Sequence, residues 1–124
     1  MGYNTQSGQW ANTVEWTPLL AGSEISTEGA TYSDAVEAGD KGTVRLTQTT
    51  SATSGTSPTL DVKVQTSHDD VTYRDVHEGA FTQITAAGTE QKSVGGIDRY
   101  VRLCYTLGGT DTPIVTLGIT GELC

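Results

Sequence analysis

The densest group of potentially reactive side chains lies between residues 67 and 78. It combines hydroxyl, imidazole and carboxylate groups in the order Ser67, His68, Asp69, Asp70, Asp75, His77 and Glu78. Their oxygens suit a hard cation such as calcium, but the Asp-x-Asp-x-Asp-Gly pattern of a calcium loop is missing. Asp side chains also favour turns, because they accept hydrogen bonds from nearby backbone N–H groups. We therefore predict a turn, keep Asp69, Asp70 and Tyr73 as a possible ligand site, and expect no metal or cofactor.

The sequence carries no recognisable catalytic signature. A nucleophile needs a base within hydrogen-bond distance, and the two histidines, His68 and His77, fall at a turn and near a strand end. Gly-x-Ser-x-Gly, a phosphate-binding glycine loop and His-Glu-x-x-His are all missing. The chain is therefore predicted not to be an enzyme.

Two other residue types could serve binding. Tyr73, Tyr100 and Tyr105 could form an aromatic platform for a sugar, although packing in the core or across strands is the commoner use of such residues. Arg99 and Arg102 flank an apolar run. We expect them to pair with acidic side chains on a neighbouring strand.

Composition limits the classes of partner and the type of fold. Fifteen acidic and seven basic residues give a net charge of −8, which argues against binding to nucleic acid or to an anionic membrane surface. Leu, Ile, Val and Phe number only 24 of 124 residues, whereas Thr numbers 22 and Gly 15. This composition favours strands and turns over helices, with a thin supply of apolar side chains for the core.

Alternation of apolar and polar residues predicts a set of short strands. The segments are 43–49, 59–67, 80–85, 99–107 and 114–121, together with an edge strand at 89–94 and a strand at 13–20 that Pro18 confines to an edge. Turn signals between them are spaced as in an all-β sandwich. We predict a single antiparallel β-sandwich domain over 13–124, jelly-roll-like, with about seven to nine strands.

A short internal repeat occurs in two parts of this domain. Arg45-Leu46 leads to Gly55-Thr56-Ser57-Pro58 and a second apolar strand, and Arg102-Leu103 leads to Gly109-Thr110-Asp111-Thr112-Pro113 and another. Both segments are predicted to be β-hairpins.

Residues 1–12 differ in character from the rest of the chain. This segment is polar, with Tyr3 and Trp10 as its only large apolar groups. It is either a frayed terminus or an arm that packs its aromatic rings on another subunit or partner, so Tyr3, Trp10 and the nearby Trp16 are candidate interface residues. Cys104 and Cys124 are predicted to be free thiols, with a bond between chains through Cys124 as the alternative.

Several segments resemble small structural proteins of tailed bacteriophages, above all capsid decoration (cement) proteins. The resemblance rests on 54–67, 72–76, 81–85 and 99–102 and covers about residues 43–122. It implies a non-enzymatic virion protein on the capsid exterior that binds the major capsid protein as a homo-oligomer. We expect a trimer, because packing between subunits would add apolar burial.

The turn at residues 67–73 supports an alternative function. It also resembles the Ser-x-Asp-Gly-x-Thr-Trp hairpin of carbohydrate-binding sandwiches, with Asp70 and Tyr73 in place of the Gly and Trp. The alternative is a carbohydrate-binding β-sandwich module of a phage tail adhesin or a bacterial surface protein.

Overall fold

The computed structural model describes residues 13–124, which form seven β-strands and no helix. In chain order these are β1 (Val14–Ile25), β2 (Gly29–Tyr32), β3 (Val36–Glu37), β4 (Thr43–Ser67), β5 (Arg74–Ala80), β6 (Gly88–Gly95) and β7 (Tyr100–Leu123). All their pairings are antiparallel. The predicted antiparallel β-sandwich and its number of strands are confirmed. Nothing in the described part of the chain forms a helix long and apolar enough to cross a membrane.

Two long strands, β4 and β7, form the spine of the fold. They pair from Val44 opposite Leu123 to Ser67 opposite Tyr100. The first half of β4 and the last half of β7 are flanked by β1 and β6, which gives the β1/β6 layer. The remaining halves are flanked by β5 on one side and by β2 and β3 on the other, which gives the β2/β5 layer. Each layer of the sandwich therefore has the spine at its centre.

The spine turns from one layer into the other at a corner made by the two repeated segments. A Cβ added at Gly55, where φ is +93°, would lie 2.8 Å from the Cα of Pro113, and one added at Gly109, where φ is +123°, would lie 3.0 Å from the Cα of Pro58. The two segments thus pack against each other, glycine to proline. The hairpin prediction is wrong, because β4 and β7 each run on through the corner and pair with each other.

Alternate residues of β4 and β7 fill the space between the layers. The alternation predicted for the segments 59–67, 99–107 and 114–121 is confirmed, since every second side chain is at most 3% exposed: Leu60, Val62, Val64, Val101, Leu103, Tyr105, Leu107, Val115, Leu117 and Ile119. Residues of both layers belong to one core cluster. Burial of each such side chain contributes roughly 1.5–3 kcal/mol, so the few apolar residues are concentrated where they stabilise the sandwich.

The flanking segments agree with the sequence only in part. β6 pairs with β4 alone among the described strands, as an edge strand should, and Pro18 lies at a register shift of the edge strand β1. The predicted strand at 80–85 is wrong. Only Ala80 belongs to a strand, while Ile84 makes an isolated bridge to Leu60. The short strands β2 and β3 were not predicted.

Candidate functional site

The outward face of the β2/β5 layer carries most of the side chains that the sequence singled out. Strand alternation buries Val101 and Leu103, so Tyr100 and Arg102 lie on the opposite, outward side of β7. The same alternation turns Tyr105 into the core, where it is 2% exposed and burial raises its pKa. Of the two uses considered for Tyr105, packing in the core is therefore the one that the structure shows.

Arg102 stacks on two tyrosine rings at the centre of this face. Its guanidinium carbon lies 4.1 Å from the ring centroid of Tyr32 and 4.0 Å from that of Tyr73. Its Nε donates a hydrogen bond of 2.9 Å to Oε1 of Gln65 on the neighbouring strand. A guanidinium over an aromatic face is favoured by the ring quadrupole and by flat stacking. We call Tyr32, Arg102 and Tyr73 the Tyr–Arg–Tyr stack.

A network of polar side chains continues from the stack across β4 to β5. Asp75 accepts hydrogen bonds of 3.0 Å from Nε2 of Gln65 and 3.0 Å from Nζ of Lys63. The bonds from Gln65 and then Lys63 lower the pKa of Asp75, and the bond to Asp75 raises the pKa of Lys63. Gln65 thus links the charge pair to Arg102 and fixes the orientation of the guanidinium.

The predicted turn after β4 holds Tyr73 in place. Oδ1 of Asp69 accepts hydrogen bonds of 3.0 Å from the N–H of Val71 and 3.1 Å from that of Thr72. These bonds, with that from Ser67, lower the pKa of Asp69 to about 2. The prediction of an aspartate-capped turn is confirmed.

Asp70 connects this turn to the stack. The Tyr73 hydroxyl donates a hydrogen bond to Oδ1 of Asp70, and burial, followed by this bond, raises the pKa of Tyr73 to about 12. The carboxylates of Asp69 and Asp70 thus accept hydrogen bonds from groups of their own turn. Of the three residues predicted as a possible ligand site, only Tyr73 belongs to the Tyr–Arg–Tyr stack. Within residues 13–124 no group of three or more His, Cys, Asp or Glu side chains is placed to hold a metal ion.

The two arginines behave differently from each other. Arg99 pairs with Glu37 of β3 at 2.6 Å and lies 5.6 Å from the ring centroid of Tyr100. The expected pairing with an acidic residue on a neighbouring strand is confirmed for Arg99. Arg102 instead bonds to the amide of Gln65 and stacks on tyrosines, so for Arg102 that expectation is wrong.

Of the three candidate interface residues, one falls within the described part of the chain, on β1 of the other layer. Tyr3 and Trp10 are outside the described residues. Trp16 is 8% exposed and belongs to the core cluster, so its ring is already covered by its own chain.

Tyr32 is the residue of the stack that the sequence analysis missed. It ends β2, pairs with Cys104 across the strands, and is 52% exposed. The four-residue strand β2 is too short to show alternation, and only its contact with Arg102, seventy positions along the chain, reveals the role of Tyr32.

Comparison with known proteins gives structural similarities alone. No protein-family model and no curated protein matches the chain. The CBM36-1 domain of a multidomain xylanase from the hindgut metagenome of Trinervitermes trinervoides is similar with a TM-score of 0.49 and 7% identity, over 89% of this chain and 95% of that one. PirA is similar with a TM-score of 0.44 and 10% identity, over 98% of both chains. Neither similarity carries information on the function of this chain.

Proposed function

We propose that this chain is a non-catalytic module that binds neutral polysaccharide on the outward face of the β2/β5 layer. The observation that carries the proposal is the Tyr–Arg–Tyr stack. Tyr32 leaves half of its surface open to solvent while Arg102 supports it. An exposed ring held in this way is a binding surface that is ordered before any ligand arrives.

The chemistry of the face matches that of a pyranose ring. A sugar ring has an apolar side of C–H groups that packs on the electron-rich face of an aromatic ring, and a rim of hydroxyls that needs hydrogen-bond partners. Around Tyr32 and Tyr73 the face provides the amide of Gln65, the carboxylate of Asp75 and the ammonium of Lys63. Sites for small ligands commonly combine an apolar surface with a few placed polar groups of this kind.

The charge of the face favours a neutral ligand. In the stack and its hydrogen-bond network, Arg102 and Lys63 are positive and Asp70 and Asp75 are negative, so the charges that surround the two rings cancel. The whole chain carries a net charge of −8, which repels acidic polymers. Neutral glycans therefore fit better than polyanions.

The rigidity of the stack lowers the entropic cost of binding. Tyrosine has few rotatable bonds and offers a large contact area. Hydrogen bonds fix Arg102 through Gln65 and fix Tyr73 through Asp70. Groups that are already ordered in the free protein lose little freedom on binding.

The proposal is tested by affinity electrophoresis in gels that contain one polysaccharide each. Neutral probes are mixed-linkage β-glucan, arabinoxylan and galactomannan, and acidic probes are alginate and polygalacturonate. We expect retardation by at least one neutral probe and none by the acidic ones. Tyr32→Ala should weaken binding about tenfold, which corresponds to about 1.4 kcal/mol, and Tyr32→Phe should keep it because the ring remains.

Leu20→Ala is the matched control, because Leu20 is 71% exposed and lies in β1 of the other layer. Its affinity should equal that of the unaltered protein. Failure of every probe to bind would contradict the proposal. Regular occupancy of the purified protein on capsids of a tailed phage, seen by electron microscopy, would then support the decoration role that the sequence resemblance implies.

A further inference from the structure

A groove of about 540 Å³ crosses the outward face of the other layer, the β1/β6 layer. Four strands line it, in the order β1, β7, β4 and β6. At the usual spacing of 4.7–4.9 Å between strands, three steps make the groove about 15 Å long. It is therefore longer than a single sugar ring or amino acid needs.

The register of the strands shows how the groove is built. Outward side chains form two rows across the sheet, one of Glu15, Glu122, Arg45 and Ser93 and the other of Thr120, Thr47 and Gln91, and Thr17 of β1 also lines the groove. The backbone between the rows forms the floor, because the residues there turn their side chains inward or, at Gly121, have none. The walls are thus hydroxyl, amide and charged groups, with no aromatic ring among the outward side chains.

The charges in the groove nearly cancel. Arg45 and Glu122 form an ion pair of 2.8 Å, and Glu15 is the remaining charged group among the outward side chains, because Lys92 lies opposite the inward-facing Leu46. One positive and two negative charges leave a single net negative charge, which repels a polyanion and attracts a polycation only weakly. Threonine and serine hydroxyls and the Gln91 amide both donate and accept hydrogen bonds, which is what the hydroxyls of a neutral sugar chain require.

We propose that this groove is a second site, which takes a stretch of linear neutral polysaccharide, and that the protein therefore cross-links two chains. The inference rests on the proposed function of the Tyr–Arg–Tyr stack. The two sites lie on opposite outer faces of a sandwich whose layers pack about 10 Å apart. A chain bound at one face has to leave the protein surface before it reaches the other, so each face holds a different chain or a distant part of the same one.

Two consequences distinguish this arrangement from a module with one site. A protein with two sites raises the viscosity of a polysaccharide solution, because each molecule joins two chains. It also binds a matrix of many polysaccharide chains by avidity, which raises the apparent affinity by about a hundredfold or more. Loss of either site removes both effects and leaves simple binding at the other site.

The test uses substitutions that fill the groove without touching the core. Thr47→Trp places a large side chain in the middle of the second row, and tryptophan is favoured in strands. Thr49→Trp is the matched control, since Thr49 is the next outward position of β4 and does not line the groove. Tyr32→Ala weakens the first site about tenfold, and thermal melts check that all variants fold.

Each variant is mixed with mixed-linkage β-glucan, arabinoxylan or galactomannan, and both viscosity and binding are measured. The unaltered protein and Thr49→Trp should raise the viscosity. Thr47→Trp and Tyr32→Ala should each still bind but raise the viscosity much less, and the double variant Tyr32→Ala/Thr47→Trp should bind more weakly than either single variant.

The outcomes separate the two proposals. Unchanged cross-linking by Thr47→Trp, as self-association of one-site molecules would give, overturns the groove site and leaves the stack standing. Complete loss of binding by Tyr32→Ala alone would likewise overturn the groove site and leave the stack as the binding site. Failure of the unaltered protein to bind any of the three probes overturns the proposed function itself.

Discussion

The corner of the spine predicts a graded loss of stability when alanine replaces three different glycines. Gly55 combines a φ of +93° with a close neighbour, since an added Cβ would lie 2.8 Å from Pro113 Cα and 3.0 Å from Thr110 O. Gly22 has a φ of +82° but open space around it, and Gly88 has open space and no positive φ. A comparison of the three variants therefore separates the stability cost of steric overlap from the cost of the backbone conformation.

The expected magnitudes follow from these two contributions. A left-handed conformation costs a residue with a Cβ about 1–2 kcal/mol, and forcing an extra carbon into a packed site costs roughly 1–3 kcal/mol more. Gly55→Ala should thus lose about 2–5 kcal/mol, Gly22→Ala about 1–2 kcal/mol, and Gly88→Ala should change little. At about 4 °C per kcal/mol for a chain of this length, the melting temperature of Gly55→Ala should fall by roughly 8–20 °C.

Thermal unfolding followed by circular dichroism, with urea titrations for the free energy of unfolding, measures the three variants. Equal effects of Gly55→Ala and Gly22→Ala would refute the close packing of the corner, since only the overlap with the opposite proline segment distinguishes them. A loss at Gly88 as large as at Gly55 would refute the whole argument.

Three further predictions concern individual side chains. Arg102→Lys should keep the fold but weaken polysaccharide binding by about threefold to tenfold, because an ammonium cannot stack flat on two rings; calorimetric titration measures it. Asp69 has a folded pKa of about 2 against an ordinary value of 3.8, so its ionised form stabilises the fold above about pH 4 and the effect is lost as the pH falls through 2. Urea titrations of the unaltered protein and Asp69→Asn should accordingly differ most at pH 5 and converge near pH 2. Cys124 is exposed and Cys104 is buried, so a thiol reagent should modify one cysteine at once and the other only after unfolding.

The strands of the spine could be predicted because their burial is a local property. Leu60, Val62 and Val64 alternate with polar residues whatever the rest of the chain does, and the same alternation already placed Tyr105 on the apolar side. The local alternation of apolar and polar residues thus predicts which face of a strand each residue occupies.

The corner and the Tyr–Arg–Tyr stack could not be predicted, because both depend on contacts between distant residues. Glycine and proline bend a strand or reverse it with the same backbone conformations, so the segment around Gly55 fits a hairpin as well as a corner until its partner at Pro113 is known. Tyr32 and Arg102 meet only because β2 pairs with β7. Neither residue carries a signal of that pairing in its own neighbourhood.

The most direct test of the account is an NMR titration of the isotope-labelled protein with short oligosaccharides from mixed-linkage β-glucan, arabinoxylan and galactomannan. Binding at the proposed face predicts chemical-shift changes at the backbone amides of Tyr32 and Tyr73, the side-chain amide of Gln65 and the Nε–H of Arg102. The absence of shift changes with all three oligosaccharides, or changes confined to residues away from the Tyr–Arg–Tyr stack, would contradict it.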